Sequence, residues 1–458
     1  MATSINGILD SAKRALIAQQ YAIQVTGHNI ANVNTKGYSR QRVNLASSLP
    51  VDSLPGQLGT GVKPEEVQRF RDLFIDFQLR RESQSLGRFE AENEALQMVE
   101  SILNEPNDFA LSGVMNNFWN SWEDLSNDPT SESARTVVQQ AAVSMAQTFH
   151  QLHRDLEAQQ YNLSNEIGAD LSDLNAAAAN VAELNSRIVR AESKGQHAND
   201  LRDVRDNALD EIASLINTSW QEQENGSVTV YVGGMPLVEY DTVKEISQDR
   251  DSTTGRTVLF FADSGVEAPV DQGSLAGHIE VRDVKMPEYI RQLDETAVAL
   301  ATAVNELHLT GVDLNGDDAG LFFADGCEGA ASLMLDFSLA DDVNLIAVSL
   351  DGNTGDGALG LDMAALRTAE NLSLDGKSIS NHYNSLISKI GSDSASSARQ
   401  VEQQETFVTT LENYRQSVSG VSIDEEMSNM ILYEQAYQAA AKLIRVADEM
   451  LWTVINLK

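Results

Sequence analysis

The chain has 458 residues, enough for two to four domains of ordinary size and for a large apolar core. Its 68 Asp and Glu against 32 Lys and Arg leave a formal charge of −36, which repels phosphate backbones and anionic membranes and argues against a nucleic-acid partner. The single cysteine, Cys327, excludes an intrachain disulfide and a thiolate zinc site.

The charge is uneven. Residues 1–50 carry Lys13, Arg14, Lys36, Arg40 and Arg42 against Asp10, a net of +4, so everything after them carries −40. The opening residues have no apolar core or small-residue cleavage site of a secretory signal, and no apolar run is long enough for membrane insertion. Export, if it occurs, is expected without a cleaved signal peptide.

Residues 5–30 have a helical pattern in which Leu9, Leu16, Ile23 and Ile30 recur every seven residues, a coiled-coil seam. The far end has a double seam, with Met430, Tyr437, Ile444 and Leu451 in one row and Tyr433, Ala440, Ala447 and Val454 in the other. Such a face must be buried against another helix to be stable in water. The two seams carry opposite net charge, which predicts that the termini pair as a stem, residues 1–60 with 415–458.

From about residue 65 the pattern reads helical to a turn at Asn104–Pro106, and from Ser133 to about Ser193 Val138, Met145, Leu152, Leu156, Leu163 and Ile167 begin a row typical of long antiparallel bundle helices. A further helix follows Gly195. The period changes in 227–240 and 256–263, where β-branched and aromatic residues alternate between Gly-Gly and Thr-Gly turns, predicting an inserted β domain over 219–276. The bundle is then assigned to 61–218 plus 277–414, with a small turn-rich β segment near 311–360 and helix breaks near Gly376, Gly391 and Gly420. The fold class expected is mainly α with inserted β: paired terminal helices as a coiled-coil stem, a long helical bundle, and one or two small β modules.

Motifs with chemistry are weak. Gly355–Gly360 formally matches a dinucleotide fingerprint, but it lacks a strand directly before it and a second parallel strand after it. Asp313, Asn315 and Asp317 start like a calcium loop, yet the sixth and twelfth positions are Asp318 and Ala324 rather than Gly and Glu. His150 and His153 lack a third ligand nearby. No catalytic, metal or cofactor residue is assigned, and no enzyme activity is expected.

The segment His28–Val43, HNIANVNTKGYSRQRV, resembles the amino-terminal signature of bacterial flagellar rod, hook and hook-associated proteins. Physically it ends a helix: Asn29 and Asn32 can bond backbone groups, Gly37 permits positive φ, and Tyr38 can anchor the turn. Segments 118–135, 198–215, 225–238, 273–283, 304–323 and 419–444 are similar to the hook-associated protein 1 (FlgK) family, the first hook-filament junction proteins. The resemblance implies paired terminal helices in the inner tube of the flagellum, export through the flagellar type III apparatus with an export chaperone, and an extracellular place at the hook-filament junction. Its implied partners are the hook protein, the second junction protein and copies of itself. The assembly interface is assigned to Leu9, Leu16, Ile23, Asn29, Ile30, Asn32, Gly37, Tyr38, Met430, Tyr433, Tyr437, Ile444, Leu451 and Val454. The alternative is a secreted helical surface protein or adhesin on a coiled-coil stem.

Overall fold

The structure is a computed structural model that describes residues 2–456 apart from 54–55, 194 and 252–254. The chain leaves along helix α1 (Ala2–Ala31) and returns along α11 (Ile423–Asn456), and the two pack along their length. Where a helical stem over 1–60 was expected, α1 stops at Ala31. The chain then forms an antiparallel hairpin, β1 (Gln41–Ser47) paired with β4 (Val62–Arg69) and β2 (Val51–Ser53) with β3 (Gly56–Leu58). The expected helical start at about residue 65 is likewise strand until Arg69. Alternation of Val43, Leu45 and Val67 with polar residues carries the strand signal, which the helical frame on either side concealed.

Helix α2 (Leu73–Leu103) is capped by Asp72, whose side chain accepts from Phe74 N, and ends at Asn104 in the left-handed region (φ 49°). It is followed by α3 (Leu111–Asn127), α4 (Glu132–Glu192) and α5 (Asn199–Leu215). α4 is one unbroken helix of 61 residues, not several, and at 1.5 Å per residue it is about 90 Å long. The row Val138 to Ile188 is buried along all of it, so a continuous apolar stripe serves two cores in succession. The first half of α4 packs with α3, the end of α2, the long helix α7 (Met286–His308) and the start of α10 (Ile379–Ser419) around Phe118, Trp119, Trp122 and Tyr289.

The second half packs with α5 and with the sheet β5 (Ser219–Glu222), β6 (Val228–Val232), β7 (Met235–Glu239) and β8 (Thr242–Val243), whose order is β5-β6-β7-β8. The hairpin β9 (Ile246–Arg250) and β10 (Thr257–Phe261) joins the same core. The β module therefore shares its core with Ile167–Ala182 of α4. Arg205, 1% exposed, is bonded inside this junction to Asn185 Oδ1 (3.2 Å) and Gly226 O (2.6 Å); burial lowers its pKa to about 10.

Helix α6 (Ser274–Glu280) runs through one π turn, Val281–Lys285, into α7 (Met286–His308). Over 311–360 the expected strands reduce to isolated bridges, Val312 with Asp318 and Ser349, and Phe323 with Leu335, among single helical turns and α8 (Phe337–Asp341). The runs LFFAD and NLIAVSL are apolar because Phe322, Phe323, Ile346 and Ala347 fill the bundle core as coil, which periodicity cannot distinguish from strand. After α9 (Ala358–Ala365), α10 (Ile379–Ser419) passes straight through Gly391 and lies against α2; of the three expected breaks, the chain turns at Gly376 (φ +78°) and Gly420. No helix among the described residues is long and apolar enough to cross a membrane.

Candidate assembly interface

Several of the fully buried positions of the two stem helices are smaller residues than those the sequence assigned. On α1 the buried positions are Ile5, Ala12, Ala18, Ala22, Thr26 and Asn29, while Leu9, Leu16, Ile23 and Ile30 lie half-buried on the flank of that face. A strict seven-residue row drifts around a 3.6-residue helix, and alanines covered by α11 and by the hairpin strands look unremarkable in a hydropathy pattern. On α11, Ala440 and Ala447 are buried; Met430, Tyr433, Ile444 and Leu451 are half-buried beside them, and Tyr437 and Val454 are exposed.

A second apolar row runs along α11 and stays exposed among the described residues. Leu432, Leu443, Val446 and Met450 are exposed by 40–60% and fall at the spacing of a second heptad face with Ala436 and Ala439 between them. Exposed apolar surface organised in this way marks an interaction site rather than scattered surface residues.

The signature after α1 forms a clamp. Asn29, 1% exposed, uses its whole amide: Oδ1 accepts from Tyr38 Oη (2.8 Å) and Gln41 N (3.0 Å), and Nδ2 donates to Gln41 O (2.8 Å) and to Glu426 Oε2 (3.0 Å) at the start of α11. Asn32 closes the helix end more locally, donating to His28 O (3.0 Å) and accepting from Thr35 Oγ1 (3.1 Å). Arg40 completes the link, with Nε on Glu426 (2.7 Å), Nη1 on Glu425 (2.7 Å) and its backbone N–H on Ser419 O (2.8 Å). The two chain ends, nearly 400 residues apart, are thus joined by charge-assisted bonds around a buried amide. Tyr38 sits in the same cluster; burial, together with Asp200, Asp203 and Glu426, holds its hydroxyl well above its ordinary pKa.

Below the clamp, the turn docks on one face of α5. Ser39 donates through its N–H (2.9 Å) and hydroxyl (2.8 Å) to Asp203, and Gln41 donates to Asp200 (2.7 Å). Gly37 (φ +78°) passes so close to α5 that a Cβ would collide with the Asn207 side chain. Asp200, Asp203, Asp206 and Asp210 recur at three- and four-residue steps on that face, and they collect arginines from the hairpin, α2 and α10. Asp206 meets Arg69 (2.7 Å), Arg80 (3.2 Å) and Arg71 (3.4 Å); Asp210 meets Arg80 (2.6 Å) and Arg415 (2.9 Å); Asp76 meets Arg71 (2.6 Å). Burial alone would raise the Asp206 pKa, but Arg71, Arg69, Arg80 and Arg205 outweigh it and hold the carboxyl well below the usual range. Asp203 shifts the other way: burial raises its carboxyl in spite of the Ser39 bonds and the nearby Arg69 and Arg71. This knot was absent from the sequence reading, although the spacing of four aspartates on one helix face was available as a signal.

The motifs set aside earlier have structural roles. Asp313 Oδ1 accepts from Asn315 N (2.8 Å) and Asp317 N (3.0 Å), closing its own turn, and Gly357 and Gly360 allow the chain to pass against Ser126 of α3. His153 lies within 3.6 Å of Glu157 and Asp294 oxygens. Among the described residues no group of three or more His, Cys, Asp or Glu is arranged to hold a metal ion.

The flagellar hook-associated protein FlgK helical domain family matches residues 96–323. The flagella basal body rod protein family matches 9–38, and the C-terminal family of flagellar basal body rod FlgEFG proteins matches 414–457, so the rod-type segments fall on the two stem helices. Flagellar hook-associated protein 1 of Bacillus subtilis (strain 168) is 34% identical, with 98% of this chain and 97% of that protein covered. This chain belongs to the flagellar hook-associated protein 1 family. The Escherichia coli (strain K12) member is 25% identical over 99% of this chain and all of its own length. The flagellar hook junction protein FlgK from Burkholderia pseudomallei superposes with a TM-score of 0.64 at 14% identity, covering 75% of this chain and 100% of that one, a likeness that speaks for the fold. Within this family the clamp and knot describe how a structural protein of the flagellum fixes its terminal stem to its body.

Proposed function

We propose that this chain forms the junction between hook and filament of the bacterial flagellum, acting by packing and not by catalysis. The observation that carries the reading is the joining of both chain ends in one clamp while α11 leaves its second apolar row open. A stem that needs both termini suits incorporation into a tube of like subunits; a surface adhesin needs only one anchor. The hook protein on one side, the second junction protein on the other and further copies of the chain around the ring are its partners. Its place is outside the cell, reached through the flagellar type III apparatus with an export chaperone. Of the sequence-assigned interface, Asn29 and Tyr38 act in this reading as the clamp, and Met430, Tyr433, Ile444 and Leu451 hold the stem together.

The test is complementation of a flagellated strain that lacks its own junction protein. The unaltered chain restores filaments. Leu443→Asp combined with Met450→Asp alters only exposed positions, so its melting temperature stays that of the unaltered protein. Cells carrying it bear hooks without filaments and release flagellin into the medium. Normal swimming by these cells overturns the reading.

A further inference from the structure

The hairpin between α1 and α2 is an unusual surface element. Residues 43–61 contain one charged side chain, Asp52, in a chain of which 22% is charged, so about four would be expected. Two-stranded ribbons that face only water are commonly protected by charges along their edges and are marginal by themselves. This one instead exposes Leu49 by 88%, Val51 by 59% and Leu58 by 56%. Depletion of charge together with exposed aliphatic side chains is the composition of an interface centre.

The placement of the hairpin indicates what it meets. Its base is bonded to Asn29 through Gln41, and its middle, where Ser48 N donates to Gly61 O (2.8 Å), lies against α1 so closely that a Cβ on Gly61 would be 3.2 Å from Ser11 Cα. From Asn29 to Ser11 is 18 residues, about 27 Å of helix. The same rise along α11 from Glu426, which is bonded to Asn29, leads to Ile444. The apolar part of the hairpin therefore begins at the level of Leu443, Val446 and Met450 in the open row of α11. A charge-poor aliphatic knob, with Asp52 its one charged side chain, and an open aliphatic row occupy one level of the stem. Copies arranged side by side around an axis bring the knob of one to the row of the next, a head-to-tail contact that repeats around a ring or helix.

We propose that the hairpin tip, through Leu49, Val51 and Leu58, docks on the Leu443–Val446–Met450 face of α11 in an adjacent copy of this chain. The inference rests on the assembly reading of the preceding subsection and specifies the contact that propagates it. It assigns the hairpin a coupling role between subunits, distinct from the helix pairing within each stem.

Cysteine cross-linking tests it in the full-length chain, with Cys327→Ser as the background. Val51→Cys is combined with Val446→Cys or with Met450→Cys, and flagella isolated from complemented cells are oxidised. The expected result is a ladder of dimers, trimers and larger multimers from a double variant and no ladder from any single variant, because the contact joins two different surfaces. Incorporated, functional protein that gives no ladder from either double variant overturns the proposal. A cross-link from Val51→Cys alone to a protein of different mass also overturns it, since the knob then faces another flagellar component. Absence of the chain from isolated flagella is a separate result and refutes the assembly reading instead.

Discussion

Replacing Asp206 with Ala measures the strength of the knot that joins stem to body. Asp206 is 7% exposed and its carboxylate touches three guanidinium groups, of which Arg80 is 2% exposed and the Arg71 side chain 6%. Removing it leaves Arg69 with Asp203, Arg71 with Asp76 and Arg80 with Asp210, so four arginines, counting Arg415, share the remaining carboxylates. Breaking a buried ion pair from one side costs about 3–5 kcal/mol. With an unfolding entropy of about 2.1 cal/mol/K per residue, 458 residues melting as one unit have roughly 1 kcal/mol/K, so the melting temperature should fall by about 3–5 °C. The sign of the pH dependence follows from the carboxyl lying below its unfolded pKa of about 3.9. Its stabilisation is complete above that value and is lost as pH falls through the lower folded pKa, so the variant and the unaltered protein should converge in strong acid. Asp203→Asn should cost less, because burial already raises that carboxyl and an amide oxygen can still accept from Ser39. Calorimetry at pH 7 and below pH 4 reads all of this. A melting temperature for Asp206→Ala within 1 °C of the unaltered protein at pH 7 would refute the account.

Gly37→Ala should destabilise the stem-body junction by more than about 1 kcal/mol, since it adds left-handed strain to a collision with Asn207; thermal melting should show the loss, and limited proteolysis should release the stem first. His308 is buried in the bundle, where Nδ1–H donates to Gly320 O (2.7 Å) and Nε2 accepts from Ala347 N (3.0 Å), a neutral imidazole whose pKa burial lowers, with Arg135 adding to the effect. Its contribution is full above the unfolded pKa of about 6.5 and declines as pH falls through the folded value. Urea unfolding between pH 8 and pH 5 should show that decline, and His308→Ala should remove it while costing about 1–3 kcal/mol at pH 8 for the unpaired Ala347 N–H.

Long-period apolar patterns were readable in the residues alone. The stripe of α4 from Val138 to Ile188 and the alternating strands of the β module each repeat a physical period and are buried where the period places them, whereas of the eight α11 seam positions only Ala440 and Ala447 are fully buried within the chain. Composition alone argued against nucleic acid and a disulfide framework, and the signature around Asn29 and Tyr38 marked the corner of the stem. The tertiary structure decided the rest, for reasons of distance. Asn29 reaches Glu426 and Ser39 reaches Asp203 across 397 and 164 residues, and no local pattern encodes which distant carboxylate an amide or hydroxyl will meet. The burial of Ala12, Ala18 and Ala22 on α1 is visible only once α11 and the hairpin lie on that helix, because small residues gain their value from the close approach of another element. The hairpin over 41–69 took the place of a helix because Asn29 and the turn at Gly37 redirect the chain against α5. That redirection depends on an acidic helix face and four arginines, drawn from separate segments, which become neighbours only in the folded chain.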